Sequence, residues 1–183
     1  MNSRNMVNLI VASLLSTLLL SLLLARTDAI NGAPVQKLID DACKNAASGD
    51  YKSCLTILTH NPNISKAIDA ESLARIALEA VSEQSSDTLA FLALTIKSHP
   101  QAATPLGECV ARFNDTKTEL VLFHEDLKEG LASLDIHYAL DSVVACQNVL
   151  ADAKVNVPGV GAMIFKWTTL FNPAYAAVLV AEG

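Results

Sequence analysis

The 183-residue sequence predicts an all-α fold, on three observations. Apolar residues recur at three- and four-residue steps through long segments, turn residues punctuate those segments at intervals, and no run of alternating β-branched residues suggests a strand. Long amphipathic helices joined by short connections favour an antiparallel four-helix bundle. A smaller helical hairpin is expected ahead of it.

Residues 1–29 read as a secretory signal peptide, leaving 30–183 as one domain. Arg4 gives a positive start, Val7 to Leu24 an apolar stretch rich in leucine, and Thr27-Asp28-Ala29 a small-residue cleavage site after Ala29. The apolar stretch is longer than a usual signal core and nearly long enough to cross a bilayer, so an uncleaved anchor is the alternative. Arg4, Arg26 and Asp28 leave with the leader, and the formal charge moves from −6 to −7. A mildly acidic domain is a poor partner for nucleic acid. A mature chain of this length can bury a substantial core without help from a metal.

The first helix is expected from about Pro34 to Ala47. Pro34 stands near its start, where a missing N–H costs nothing, and Val35, Leu38, Ile39 and Ala42 form one stripe. Ser48-Gly49-Asp50 ends it. A second short helix, about Tyr51 to Leu58, runs into the breaker His60-Asn61-Pro62-Asn63. From Asp69 to about Lys97, Leu73, Ile76, Ala77, Ala80, Val81, Thr88, Phe91, Leu92 and Thr95 mark one buried face, and Ser98-His99-Pro100 stops the helix.

The next helix is expected from Thr104 to Leu134, with Leu106, Cys109, Val110, Phe113, Leu120, Phe123, Leu127 and Leu131 as its stripe. Another, Ile136 to Lys154, offers Leu140, Val143, Val144, Val149 and Leu150 before Val157-Pro158-Gly159 turns the chain. The last, Gly161 to Ala181, carries Met163, Ile164, Trp167, Leu170, Phe171, Val178 and Leu179. Asn172-Pro173 should kink or split it.

Four cysteines, Cys43, Cys54, Cys109 and Cys146, follow the leader, and an even set in an oxidising compartment reads as disulfides. Three connectivities are open. Cys43 and Cys54 flank the Gly49 turn, where a bridge would staple a hairpin of helices too short to stand alone in water. Cys109 and Cys146 lie on apolar stripes of successive helices, which antiparallel packing could bring together. Four free buried thiols would require the leader reading to be wrong.

Enzyme chemistry finds little to work with. Retaining glycosidases need two carboxylates about 5 Å apart in a cleft, whereas Asp40, Asp41, Glu125, Asp126 and Glu129 fall on polar helix faces that read as solvated. His60 and His99 lie in expected loops, His124 within a helix and His137 at the start of one, with no metal-ligand spacing among them. No cofactor or metal is therefore expected. A bundle holding a small apolar ligand is a third class, for which Phe165, Trp167 and Phe171 would serve, though a stripe at helical spacing is more often core.

The close cysteine pair with Tyr51-Lys52-Ser53-Cys54, the segment Asp69 to Leu78, Pro105-Leu106-Gly107-Glu108-Cys109 and the later Cys146 together resemble the plant invertase and pectin methylesterase inhibitor family, over essentially the whole mature chain. Phe113 stands where the family usually has tyrosine, and the sequence from Ala153 onward is atypical. The resemblance implies a secreted four-helix bundle with an N-terminal hairpin, bridges pairing first with second and third with fourth cysteine, and one-to-one binding that blocks an enzyme's active-site cleft. It places the protein in the apoplast or cell wall, with the vacuole as the alternative, and free of the membrane once the leader is cleaved.

Within the family, targets divide. Some invertase inhibitors carry a Pro-Lys-Phe element before the fourth cysteine that sets a cation against catalytic carboxylates. The corresponding stretch here is Leu134-Asp135-Ile136-His137-Tyr138, with His137 as its only potential cation. The reading adopted is a stoichiometric inhibitor of a plant cell-wall pectin methylesterase, with acid invertase, or a non-inhibitory pollen-type protein, as alternatives. Asp135, His137 and Tyr138 are the target-contact candidates, around the expected junction between the helix ending at Leu134 and the one starting at Ile136.

Two acceptor sequons complete the reading, Asn63-Ile64-Ser65 and Asn114-Asp115-Thr116. Asn63, in an expected loop, is the favoured glycosylation site; access to Asn114 depends on its helix turning it to solvent.

Overall fold

The computed structural model describes residues 34–46 and 51–183, with the side chains of 124–126 and 128 excepted. The leader over 1–29 and the Gly49 turn lie outside the described residues. Six α-helices follow one another, and no strand occurs among the described residues. Helix α1 covers 34–44, α2 Tyr51–Thr59, α3 Ala70–Ser98, α4 Ala103–Asp126, α5 Ala132–Asp152 and α6 Val160–Glu182.

Both disulfides join the expected partners. Cys43–Cys54 ties α1 to α2 with their Cα atoms 5.6 Å apart, and Cys109–Cys146 ties α4 to α5 at 4.6 Å. On the outside of the hairpin, the Asp40 carboxylate accepts hydrogen bonds from the Lys44 ammonium and the Tyr51 hydroxyl. Those two donors, Lys44 foremost, hold the Asp40 carboxyl below its usual value. Val35, Ile39, Ala42 and Leu58 bury the hairpin's inner face.

Helices α3 to α6 form the bundle, with α3 packed on α4 and α6, and α5 on α4 and α6. Paired contacts fix the directions. Between α4 and α5, Cys109 meets Cys146 and the Thr116 hydroxyl lies 3.3 Å from the Ala139 carbonyl, so seven steps forward on one helix are seven back on the other. Between α3 and α6, Trp167 meets Ser85 while Gly159 meets Phe91. Between α5 and α6, Ser133 meets Glu182 while His137 meets Tyr175. All three pairs run antiparallel.

A column of aromatic rings fills the centre. Phe113 of α4 meets Trp167 edge-on at 6.3 Å, Trp167 stacks on Phe171 at 4.8 Å, and Phe171 stacks on Tyr175 at 5.8 Å. The buried Trp167 N–H donates to Ser85 Oγ at 2.8 Å, and the Ser85 hydroxyl donates to the Val81 carbonyl at 2.9 Å. Gln84 and Thr88, also buried, bond to each other. No buried side-chain donor or acceptor among the described residues lacks a partner, as a stable core demands.

Helix α3 begins with a capping box. The Asp69 carboxylate accepts from the Ser72 N–H at 2.8 Å, while Ser72 Oγ accepts from the Asp69 N–H at 3.0 Å. The Ser72 hydroxyl and N–H together hold the Asp69 carboxyl below its usual value.

Several expectations need correction. The helix expected through Leu134 ends at Asp126, followed by a 3-10 turn over Leu127–Glu129 and by Gly130 at φ 71°. A left-handed residue cannot continue an α-helix, and it resets the phase so that Leu131 is exposed instead of joining the buried stripe. Helix α5 starts four residues earlier than expected, and Val144 lies on its exposed face. Helix α1 ends at 44, short of Ala47. Pro173 neither ends nor splits α6, which runs unbroken past it with the proline ring buried.

Candidate functional site

The target-contact candidates all sit on one helix, which takes in Asp135 as well as the two residues already expected there. Asp135, His137 and Tyr138 occupy the first two turns of α5. His137 and Tyr138 are exposed and Asp135 is half-buried. His137 Nε2 stands 3.9 Å from Asp141 Oδ1 one turn on, a solvent-screened pair of little energetic weight, and its ring leans on Tyr175 at 6.3 Å.

Four further exposed apolar residues, which the sequence reading did not name as contact candidates, stand with Tyr138 toward the same end of the α4–α5 hairpin. Carrying the α4–α5 register five residues beyond Thr116 and Ala139 brings Val121, 68% exposed, level with Leu134, 50% exposed. Leu122, Leu131 and Tyr138 are also exposed at this end of the hairpin. Single exposed apolar residues are ordinary on a protein surface, but five at one end of a helical pair are the composition of an interaction surface. The signal available in the sequence was Gly130: a glycine mid-segment marks where an apolar stripe loses its phase.

This end is braced from behind. Helix α5 has no side-chain cap of its own, and Glu182, from the far end of α6, supplies one by accepting the Ser133 N–H at 2.7 Å. A carboxylate at a helix N-terminus meets unsatisfied N–H groups and the positive end of the macrodipole. With Tyr175 behind His137, α6 therefore fixes the first turns of α5.

Asn63 is half-buried, its Oδ1 accepting from Lys66 Nζ at 2.8 Å and its N–H donating to Asn61 Oδ1. Asn114 is exposed on α4, although Thr116 of the same sequon is buried with its hydroxyl within reach of the Arg112 and Ala139 carbonyls. Of the acidic candidates, Asp40 is committed to the hairpin, Asp41 is half-buried on α1 and Glu129 is exposed beyond α4, while the side chains of Glu125 and Asp126, like that of His124, lie outside the described residues. His60 follows α2 and His99 caps α3. No group of three or more His, Cys, Asp or Glu side chains that could hold a metal occurs among the described residues. Nor, among them, is any helix long and apolar enough to cross a membrane.

A family model described as plant invertase/pectin methylesterase inhibitor matches residues 37–167. No curated protein sequence matches the chain. The family match takes in both disulfides, the capping box of α3 and the whole α4–α5 hairpin. Over that span the residue pattern and the helical bundle agree, and the chain belongs to the plant invertase/pectin methylesterase inhibitor family, whose members are extracellular inhibitors of pectin methylesterase or invertase.

Proposed function

We propose that the protein is secreted after loss of residues 1–29 and inhibits a plant cell-wall pectin methylesterase by one-to-one binding, with the exposed end of the α4–α5 hairpin as part of its contact surface. The observation that carries this reading is the exposure of Val121, Leu122, Leu131, Leu134 and Tyr138 toward one end of the α4–α5 hairpin in the family's bundle. Aromatic and aliphatic side chains of this kind supply the central anchors of protein interfaces, with charged residues at the rim. Asp135, His137 and Asp141 would form such a rim. An invertase inhibitor of the Pro-Lys-Phe kind needs a protruding cation here. Residues 134–138 are instead regular helix without a lysine or arginine, which favours the esterase.

Asn114 is the better-exposed glycan acceptor, and a glycan there would bound the contact surface on the side away from the α4–α5 turn; intact-mass analysis that finds Asn63 and Asn114 both unmodified removes that boundary.

The test is titration of the disulfide-intact protein, purified from a secretory host, against a plant pectin methylesterase and a cell-wall invertase in parallel at mildly acidic pH. Stoichiometric loss of esterase activity alone is expected, and Leu134→Asp should weaken it by at least about tenfold if the residue is an anchor. Loss of invertase activity alone transfers the reading to the other target, and loss of neither makes the protein a non-inhibitory member.

A further inference from the structure

A pocket of about 380 Å³ opens between the hairpin and the bundle, far from the α4–α5 turn in the chain. Ile57 and Leu58 of α2, Ile76, Ala77 and Ala80 of α3 and Leu170 of α6 give it apolar walls. Its volume falls at the lower end of the range for small-molecule sites, roughly 300–1,000 Å³. The walls are held in place: Asn61 Nδ2 donates to the Ile76 carbonyl at 3.3 Å, Asn61 Oδ1 accepts the Asn63 N–H at 2.9 Å, and His60 Nδ1 lies 2.7 Å from the Thr56 carbonyl. The loop over 60–63 is thus pinned against α3 at the pocket's edge.

Two carboxylates line the same pocket. Glu79 and Glu83 stand one helical turn apart on α3, both exposed, and neither forms an ion pair with a lysine or arginine among the described residues. Arg75, one turn before Glu79, acts electrostatically on Asp69. Like charges at this spacing repel, and apolar walls open to water forgo the contacts that a filled pocket would make. One ligand class relieves both. We propose that this pocket binds a small amphipathic amine, its apolar body against Ile57, Ile76, Ala80 and Leu170 and its ammonium between the Glu79 and Glu83 carboxylates. An anion of the same shape meets two like charges, and a neutral alcohol leaves them uncompensated.

The site is independent of the target reading above, and its test does not use inhibition. Octylammonium, octan-1-ol and octanoate, each kept below the concentration at which it self-associates, are titrated near neutral pH into the isotopically labelled, disulfide-intact protein. Binding is followed by calorimetry and by amide chemical shifts. Octylammonium is expected to shift Ile57, Ala77, Glu79 and Glu83 and to bind at least about fivefold more tightly than octan-1-ol, with octanoate weakest. Glu79→Gln combined with Glu83→Gln, both at exposed positions, should bring octylammonium to the alcohol's level, and Ala80→Phe should block all three probes. No octylammonium binding, equal binding of the three, shifts confined to other residues, or a double variant that keeps the cation preference would each overturn the proposal.

Discussion

The hairpin and the bundle carry one disulfide each, and the two bridges act on very different helices. Helices α1 and α2 have 11 and 9 described residues, lengths at which an isolated helix does not survive in water. Helices α3 to α6 run 21 to 29 residues and enclose Phe113, Phe123, Trp167 and Phe171, all fully buried. In the hairpin the bridge stands in for a core that two short helices cannot build. In the bundle it reinforces helices already held by packing. Chain-entropy estimates give about 3 kcal/mol for the 11-residue separation and about 4 kcal/mol for the 37-residue one, on a mechanism that is model-dependent. The numbers are similar; what each bridge protects is not.

Trp167→Ala should have the largest effect. It opens a cavity in the aromatic column, leaves the buried Ser85 oxygen without its donor, and should cost about 3–5 kcal/mol, read as a cooperative loss of helix in guanidinium. The two bridges then separate the regions. Cys109→Ala with Cys146→Ala should lower bundle stability by about 4 kcal/mol, seen in the melting of Trp167 fluorescence, which reports the bundle because this is the chain's only tryptophan. Cys43→Ala with Cys54→Ala should instead expose residues 34–59 to protease and amide exchange while leaving the Trp167 transition nearly unmoved. Equal shifts of that transition in both variants would mean that hairpin and bundle unfold as one unit.

A smaller effect tests where the bundle begins. Asp69→Ala should cost about 1 kcal/mol by removing the capping box of α3. The folded carboxyl of Asp69 lies below its unfolded value of about 3.8, so the native state binds this proton less readily than the unfolded chain. Its contribution is complete above about pH 4 and is lost as the pH falls through the lower folded value. The stability gap between wild type and variant should accordingly close on acidification below pH 4, and a gap constant down to pH 2 would reject the cap. Smallest is Glu182→Ala, below about 1 kcal/mol globally, but localised: amide exchange should quicken at Ser133 and its neighbours, with faster dissociation of the target.

Much of the fold was legible because burial at helical spacing leaves a periodic record. Leu73, Ile76, Val81 and Leu92, and Ile164, Trp167 and Phe171, are buried as their spacing indicates. The errors cluster where a single residue changes the backbone. Gly130 looks like one weak helix former among strong ones, yet its left-handed conformation ends α4 and turns Leu131 and Leu134 outward. Pro173 errs in the other direction: burial along α6 outweighs the hydrogen bond its ring removes. Gly159 is legible as a turn, but its φ of 90° and the close approach of the Phe91 ring, which leaves no room for a side chain, come only from the packed structure.

By itself the sequence determined the class, the helices, the cysteine set and, through its motifs, the family. Each of these rests on residues near one another in the chain or on an ordered pattern along it. Tertiary structure decided what depends on distant residues meeting: Glu182 capping α5, Ser85 receiving the Trp167 N–H, Val121 drawn level with Leu134, and Glu79 and Glu83 set beside Ile57 and Leu170. Local periodicity fixes which face of a helix is apolar. Only the packing of one helix on another fixes which part of that face stays in water, and that is where a partner or a ligand can bind.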